Sequence, residues 1–312
     1  MMRKDLISFA GLDRRDFDRI FERAFALKTM QKEGVVYTPL KGKTLGMTFF
    51  KSSTRTRLSF EVGMYQLGGI AIFLSVRDIQ VGRGESIEDT ARIMSRYLDG
   101  VVVRTFSQES VEEFARAASI PVINGLTDLL HPCQILSDLF TIGEKKGTYE
   151  GVKVAYVGDG NNIANSLIEA ATRLPFELAI ACPEEYGPNP EILRVGIRSS
   201  GGRVKLLRQP SEAVEGADVV YTDVWASMGQ EGEAEKRKQA LKDYQINAAL
   251  MKRAKRDAVV MHCLPAHRGE EITADVLDGP QSVVFDQAEN RLHVQKAILE
   301  ILMGRGKENR NE

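Results

Sequence analysis

Short runs of consecutive apolar residues alternate with stretches in which apolar residues recur every three or four positions. Runs of the first kind are typical of buried strands, and stretches of the second kind are typical of amphipathic helices. Ten runs read as strands: Leu45–Phe50, Ala71–Val76, Gly100–Thr105, Pro121–Asn124, Lys153–Gly158, Glu177–Cys182, Arg203–Leu207, Asp218–Asp223, Ala258–Cys263 and Ser282–Phe285. Regular alternation of strands with helices predicts the α/β class, with parallel sheets covered on both faces.

The strand-like runs fall into two series, which predicts two doubly wound parallel-sheet domains with a cleft between them. The expected borders are 1–147 for the first domain and 148–288 for the second, with residues 289–312 as a C-terminal helix that returns to the first. Helical spacing is clear in the segments Ile87–Leu98, Pro132–Lys146 and Arg291–Met303. Proline suits the first turn of the second of these helices.

Composition narrows the class of protein without naming a function. Of 312 residues, 43% are apolar and 27% are charged, and the net charge is −1, as in an ordinary globular protein with no global field for nucleic acid or anionic lipid. No apolar stretch approaches the roughly 20 residues of a membrane helix, and the first residues lack the apolar core of a secretory signal. Cys133, Cys182 and Cys263 are few and irregularly spaced, which favours a reducing cytoplasm over a disulfide framework.

Unusual polar residues follow the predicted strands. In parallel α/β sheets ligands bind beyond the carboxyl ends of the strands. The segments in these positions are "STRTR", "RDIQVGRGES", "HPCQ", "GDGNN", "DVWASMGQ" and "HCLPAHRGEE", and Arg104 ends the third strand. Their shared placement predicts a substrate site at the strand ends.

The segment "STRTR" lies where a strand turns into a helix, and a helix N-terminus attracts anions. It predicts a phosphate cradle, although Ser53 capping a helix with solvated arginines would give the same pattern. If the helix begins near Thr54, Arg55 and Arg57 cannot share a face, so we expect Arg55 on the ligand and Arg57 in supporting pairs. Arg104 could likewise form an ordinary surface ion pair, and His131 could simply cap the helix that follows it. Alternatively, Arg104, His131 and Gln134 could together contact one carbonyl group of a ligand.

Two further motifs allow alternatives. "GDGNN" has two of the glycines of a dinucleotide-binding turn, but Ile163 stands where the third belongs, and Asn161 and Asn162 favour a polar substrate instead. "HCLPAH" offers His262, Cys263 and His267 to zinc, yet a buried inert thiol is the commoner fate of such a cysteine, so no metal is expected. The loop around Trp225 is either a mobile lid or a solvated connection.

Together these motifs resemble the aspartate/ornithine carbamoyltransferase family over essentially the whole chain. "STRTR" followed by "HPCQ" is similar to the carbamoyl phosphate motifs of the whole family, and "DVWASMG" with "HCLPAHR" resembles its ornithine branch. The resemblance implies a carbamoyl phosphate-binding N-terminal domain, an ornithine-binding C-terminal domain, and a homotrimer or an assembly of trimers. It also implies a cis bond between Leu264 and Pro265.

Site residues follow from the resemblance motif by motif. The residues implied for carbamoyl phosphate are Ser53, Thr54, Arg55, Thr56, Gln80 (from a neighbouring subunit), Arg104, His131, Gln134, Cys263, Leu264 and Arg291. Those implied for ornithine are Asn162, Asp223, Ser227 and Met228. The residues expected to take part in the chemistry are Arg104, His131, Asp223 and Cys263.

The implied reaction transfers the carbamoyl group from carbamoyl phosphate to the side-chain amine of L-ornithine, giving L-citrulline and phosphate without metal or cofactor. It belongs to amino-acid metabolism and would serve arginine biosynthesis or, reversed, yield carbamoyl phosphate. The alternatives are another acceptor (putrescine, N-acetylornithine or aspartate), a nicotinamide-dependent dehydrogenase using the Gly158 loop, and a non-catalytic binding protein on this scaffold. Asp223 suits a free α-amino group, which argues against the acetylated acceptor.

Overall fold

The computed structural model describes residues 4–75, 84–226 and 231–304, and the chain forms two compact units. Unit 1 extends to Ser137 and resumes at Asn290, and unit 2 runs from Asp138 to Glu289. The unit borders therefore fall inside two helices, and the borders expected after residues 147 and 288 stay predictions. Among the described residues, no helix combines the length and the apolar character that crossing a bilayer requires.

Unit 1 contains a four-stranded parallel sheet. Its strands are β1 (Thr44–Phe49), β2 (Ile70–Ser75), β3 (Gly100–Arg104) and β4 (Val122–Leu126), in the order β2-β1-β3-β4. The helices that begin in this unit are α1 (Arg14–Lys32), α2 (Thr54–Gln66), α3 (Ile87–Tyr97), α4 (Gln108–Ala117) and α5 (Pro132–Lys146). Serines cap three of these helices, with Ser53, Ser86 and Ser107 each accepting a bond from a first-turn N–H.

Unit 2 contains a five-stranded parallel sheet. Its strands are β5 (Lys153–Val157), β6 (Glu177–Ala181), β7 (Val204–Leu207), β8 (Val219–Thr222) and β9 (Val259–His262), in the order β7-β6-β5-β8-β9. The helices that begin here are α6 (Asn162–Ala171), α7 (Pro190–Ser199), α8 (Pro210–Val214), α9 (Ala234–Leu241), α10 (Ala248–Met251), α11 (Ala274–Leu277) and α12 (Val284–Met303). One-turn 3-10 helices occupy Glu184–Tyr186, Glu231–Glu233 and Lys242–Tyr244.

Nine predicted strands are confirmed, with ends displaced by at most two residues. The tenth, Ser282–Phe285, is wrong: Ser282 makes one isolated bridge to Val260, and helix α12 begins at Val284. Val283 donates to the carbonyl of Val260, and Val284 and Phe285 then enter the first helical turn. β-Branched residues favour strands only weakly. Val284 therefore adopts the conformation of the helix that begins with it. The last helix is accordingly longer at its N-terminus than the predicted Arg291–Met303.

Candidate active site

The strand order of unit 1 reverses between β1 and β3. The chain passes from β1 outward to β2 and then returns to place β3 on the other side of β1. At such a switch point the connections leave in opposite directions and open a crevice at the carboxyl ends. Phe49 of β1 lies beside Arg104 of β3 in the register. "STRTR" and Arg104 therefore flank one crevice.

Helix α2 begins at Thr54, as expected, with Ser53 as its N-cap. The Ser53 hydroxyl accepts the N–H of Thr56 at 3.2 Å, so the capping interpretation is correct for this residue. The first N–H groups of a helix have no acceptor inside it and carry the positive end of the dipole. Exposed Thr54 and half-buried Arg55 sit at this terminus, which is suited to an anion.

Arg57 points away from this crevice. Its Nε donates to Glu61 Oε1 at 2.9 Å, and its guanidinium lies 3.9 Å from the centre of the Phe73 ring. The prediction that Arg57 makes supporting pairs is confirmed. That Arg55, two positions earlier, binds the anion stays a prediction.

Arg291 joins two predicted substrate motifs within unit 1. This buried side chain donates from Nη2 to Thr56 Oγ1 at 2.7 Å and from Nη1 to Gln134 Oε1. The guanidinium thus links the first turn of α2 to the first turn of α5. Three residues far apart in sequence, all expected to bind carbamoyl phosphate, are brought together.

His131 lies against the cations of this group. It is buried just before α5, and Arg104 donates to the carbonyl of nearby Gly125 at 3.4 Å. Burial, and then the positive charges of Arg291, Arg104 and Arg55, hold the pKa of His131 well below its ordinary value of 6.5. The imidazole is therefore neutral at pH 7 and can donate a hydrogen bond without adding charge.

Lys51 is a buried cation near this group that no sequence motif indicated. Its buried ammonium pairs with Asp128 and lies 4.4 Å from the centre of the Phe106 ring. The pair links the segment preceding "STRTR" to the loop that carries His131. Lys51 stands two positions before the motif, but nothing in the sequence indicates that its side chain turns inward.

Unit 2 has its own switch point between β5 and β8, where "GDGNN" and Asp223 follow the two strands. Asp223 is buried and accepts three bonds. Oδ2 accepts Asn161 Nδ2 at 2.7 Å, while Oδ1 accepts the N–H of Val224 at 2.8 Å and the Cys263 thiol at 3.0 Å. The carboxylate and the thiol expected to serve an amine are thus in direct contact.

The glycines of "GDGNN" have packing roles. A Cβ on Gly160 would lie 2.3 Å from the backbone of Gly187 and Pro188, and Gly158 has a φ of +133°. Asn161 caps α6 through a 2.9 Å bond to the N–H of Ile163. Close packing thus accounts for these glycines without a dinucleotide. Asn162, the residue expected to bind ornithine, is the buried first residue of α6.

Asp159 and Arg237 form a buried pair beside this group that the sequence did not reveal. Asp159 Oδ1 lies 3.0 Å from Arg237 Nη1, and the guanidinium stacks 4.7 Å from the centre of the Tyr186 ring. Burial raises the pKa of Asp159 to about 7, against the attraction of Arg237 and with a smaller contribution from the charge of Asp223. A carboxyl that titrates near neutrality therefore lies next to the predicted amine site.

The "HCLP" turn follows β9. The bond between Leu264 and Pro265 is cis, as expected, and Leu264 has a φ of +57°. His262 Nδ1 accepts the N–H of Leu264 at 2.8 Å, and Nε2 lies 3.0 Å from Glu271 Oε1. Although Asp223, His262 and Cys263 have ligand atoms close together, both ring nitrogens of His262 are engaged. This geometry does not favour the zinc interpretation.

Three predicted site residues, Gln80, Ser227 and Met228, lie outside the described residues. Trp225 is buried and packs in the apolar core of unit 2 with Leu241 and Ile246. Neither a mobile lid nor a solvated connection describes this side chain.

Comparison with known proteins assigns the chain to a family. Residues 4–144 match the model described as "Aspartate/ornithine carbamoyltransferase, carbamoyl-P binding domain", and residues 150–302 match "Aspartate/ornithine carbamoyltransferase, Asp/Orn binding domain". A protein of Syntrophus aciditrophicus named ornithine carbamoyltransferase is 69% identical over 97% of this chain and 100% of its own length. The chain belongs to the aspartate/ornithine carbamoyltransferase family. The family suspected from the motifs is confirmed.

Solved structures agree with this assignment. The ornithine carbamoyltransferase of Pyrococcus furiosus has a TM-score of 0.94 and 52% identity, covering 97% of this chain and 98% of that chain. The enzyme of Burkholderia thailandensis has a TM-score of 0.89 and 46% identity, covering 97% and 100%. The predicted fold class, with two parallel-sheet α/β domains, is confirmed.

Proposed function

We propose that this protein transfers the carbamoyl group of carbamoyl phosphate to the side-chain amine of L-ornithine, giving L-citrulline and phosphate. The main support for the proposal is that the switch points of the two sheets have opposite charges: one collects cationic residues and the other a carboxylate. Unit 1 presents a helix N-terminus with Arg55, Arg104 and Arg291, and unit 2 presents the carboxylate of Asp223 in contact with a thiol. Relatives that match nearly the whole chain carry the name of this activity.

The dianionic phosphate belongs with the α2 N-terminus. Backbone N–H groups and the dipole favour negative charge there, and Arg55 supplies a charge-assisted hydrogen bond. We assign Ser53, Thr54, Arg55 and Thr56 to the phosphate, with Arg104 assisting. Gln80, expected from a neighbouring subunit, joins this group as a proposal from the resemblance.

The carbamoyl group belongs with Arg104, His131 and Gln134. Because His131 is neutral, it donates an N–H to the carbonyl oxygen while the arginine supplies the charge that stabilises a developing oxyanion. Each well-placed donor of this kind lowers the barrier by about 3–4 kcal/mol. Arg291 holds Gln134 in place, and Cys263 and Leu264 are assigned to the same group by resemblance.

The attacking amine must be neutral. An alkyl ammonium has an ordinary pKa near 10.4, so one proton must leave before the nitrogen attacks the carbonyl carbon. The C–N bond forms, the bond between the carbonyl carbon and the phosphate oxygen breaks, and the released phosphate can take up the second proton. Asp223 and Cys263 are the groups that orient the amine or accept its proton, while Asn162, Ser227 and Met228 are assigned to the amino-acid end of ornithine.

We also propose a homotrimer, or an assembly of trimers, formed through unit 1. Helix α2 exposes an apolar stripe, and the neighbouring edge strand β2 exposes further apolar side chains: Leu58, Val62, Tyr65, Ile70 and Ile72. An apolar face of this kind is typical of a subunit interface. Leu58→Glu combined with Tyr65→Glu should reduce the mass in solution to that of one chain, whereas Ile197→Glu, at an exposed apolar position of unit 2, should not. Monomeric unaltered protein would refute this proposal.

The compartment proposed is the cytoplasm, because Cys133, Cys182 and Cys263 are thiols and not disulfides. There the reaction would serve amino-acid metabolism, either by supplying citrulline for arginine biosynthesis or in the opposite direction.

A panel of acceptors tests the proposed reaction. The purified protein is incubated with carbamoyl phosphate and, separately, ornithine, putrescine, N-acetylornithine or aspartate, and both phosphate and the ureido product are measured. Citrulline formed from ornithine alone is the expected result. Turnover only with another acceptor would overturn the assignment of Asn162, Ser227 and Met228 to the amino-acid end of ornithine, and no turnover with any acceptor would overturn the function.

A further inference from the structure

His262 is fully buried, and its backbone N–H and both of its ring nitrogens have defined partners. Its backbone N–H donates to Gln287 Oε1 at 2.9 Å, its Nδ1 accepts the N–H of Leu264 at 2.8 Å, and its Nε2 lies 3.0 Å from Glu271 Oε1. Histidine is the last residue of β9. The chain beyond it is therefore held by a ring nitrogen rather than by a neighbouring strand.

These partners determine the tautomer of the ring. A backbone N–H can only donate, so Nδ1 must be the accepting nitrogen and the proton must sit on Nε2. That proton points to Glu271, which is fully buried and whose Oε1 also accepts the N–H of His267 at 2.6 Å. Glu271 thus selects the tautomer that can hold Leu264.

The held residue has an unfavourable backbone. Leu264 has a φ of +57°, a left-handed conformation that is unfavourable for a residue with a Cβ. A hydrogen bond to its N–H stabilises this turn, and leaving that buried N–H without an acceptor would cost more than the bond contributes. Loss of the acceptor at Nδ1 would therefore release this turn, which also carries Cys263.

The other side of His262 is equally fixed. Gln287 donates from Nε2 to Asp138 Oδ1 at 2.8 Å, and Asp138 Oδ2 accepts the Tyr221 hydroxyl at 2.8 Å. The backbone of His262 is thus anchored independently of its ring. A change confined to the ring acts on the Leu264 turn rather than on the strand.

We propose that His262 is a positioning residue for carbamoyl transfer: its Nδ1 holds the Leu264 amide and so places the Cys263 thiol against Asp223, while Glu271 acts through it by fixing the tautomer. This inference rests on the proposed function, which assigns Cys263 and Leu264 to the reacting groups. The accepting nitrogen of His262, Nδ1, is expected to matter for turnover. The donating nitrogen, Nε2, is expected to matter for stability.

Two substitutions separate the nitrogens. In His262→Asn, the amide oxygen can occupy the position of Nδ1 and accept from Leu264, but Glu271 loses the ring N–H. In His262→Gln, the longer amide can reach Glu271 but leaves no acceptor at the position of Nδ1. We expect the asparagine variant to melt at the lower temperature and yet keep kcat within about tenfold, while the glutamine variant melts higher and loses about 100-fold, the effect of a displacement near 1 Å.

Two readouts control for general damage. Inorganic phosphate should inhibit both variants with the constant found for the unaltered protein, because its proposed ligands belong to unit 1. Nitrogen-15 spectra of protein labelled at its four histidines should show one neutral ring, absent from His262→Asn, that carries its proton on Nε2.

The possible results distinguish failure of the positioning role from failure of the proposed function. If the unaltered protein forms no ureido product with any acceptor, both fall. If it turns over but kcat falls in step with melting temperature in the two variants, or if both variants are as active as the unaltered protein, the positioning role falls and the function stands. A ring protonated on Nδ1 would also overturn the inference.

Discussion

Replacing Asp159 with asparagine should change how stability depends on pH. Burial raises the pKa of this carboxyl from 3.8 to about 7, so between these values the folded protein binds a proton that the unfolded chain has released. The stability that this proton contributes is fully present below pH 3.8 and is lost as the pH rises through 7. This sign is opposite to that of an ordinary ion-paired aspartate.

The magnitude follows from the size of the difference. Each pH unit between the two pKa values changes the free energy of unfolding by about 1.4 kcal/mol. Stability of the Asp159→Asn variant relative to the unaltered protein should therefore rise by about 2–3 kcal/mol between pH 5 and pH 8. Any difference between the asparagine amide and the protonated carboxyl in their contact with Arg237 shifts the whole difference without changing its slope.

The single tryptophan provides the assay. Trp225 is buried in the same unit as Asp159, and its carbonyl accepts Arg237 Nη1 at 3.4 Å. Urea unfolding followed by its fluorescence at several pH values thus reports on the relevant unit. Asp257→Asn is the control, since Lys146 holds the pKa of that exposed carboxyl below its ordinary 3.8 and its difference should be flat above pH 5. A flat difference for Asp159→Asn over the same range would refute the reasoning.

Three further predictions concern the substrate groups. Arg291→Lys loses the double contact with Thr56 and Gln134, and since a hydrogen bond to a charged group contributes about 1.5–3 kcal/mol, the KM for carbamoyl phosphate should rise at least tenfold; an unchanged KM would contradict the contact's role. His131 is neutral in the folded state, so the unaltered protein should lose stability as the pH falls below 6.5, and melting temperatures of His131→Asn should lack part of that loss. Cys263→Ala should lower kcat/KM for ornithine about 100-fold, within the range of acid–base catalysis, and alter its pH profile; an unchanged rate and profile would remove the thiol from the mechanism.

Local sequence specified most of the strands and the start of α2. Buried parallel strands leave continuous apolar runs, and strand ends collect the ligand-binding residues of such sheets. These two regularities were enough to place Arg104 and "STRTR" at the ends of strands, and the strand order in the structure puts both at one switch point. The pairs of Arg57 followed from helical geometry alone, because residues two apart point to different faces.

Contacts between distant positions could not be predicted in this way. Neither Asp159 nor Arg237 belongs to a pattern that reveals their pairing, and Lys51 resembles any surface lysine until its burial is known. Ser282–Phe285 has the composition of a strand, but its continuation decides otherwise. The apolar stripe of α2 illustrates a further limit. Apolar residues at helical spacing correctly indicate a helix, but they do not show whether that face is buried within the chain, and Tyr65 is 81% exposed.

Two arginines of one motif provide the most direct test of the account. The measurement is the initial rate of citrulline formation from carbamoyl phosphate and ornithine by the unaltered protein, by Arg55→Ala and by Arg57→Ala. We expect the unaltered protein to form citrulline. The rate should fall at least 100-fold in Arg55→Ala, comparable to losing one donor to a developing charge. It should change less than tenfold in Arg57→Ala, because the partners of Arg57 are Glu61 and Phe73. No citrulline from the unaltered protein, or equal losses in the two variants, would contradict it.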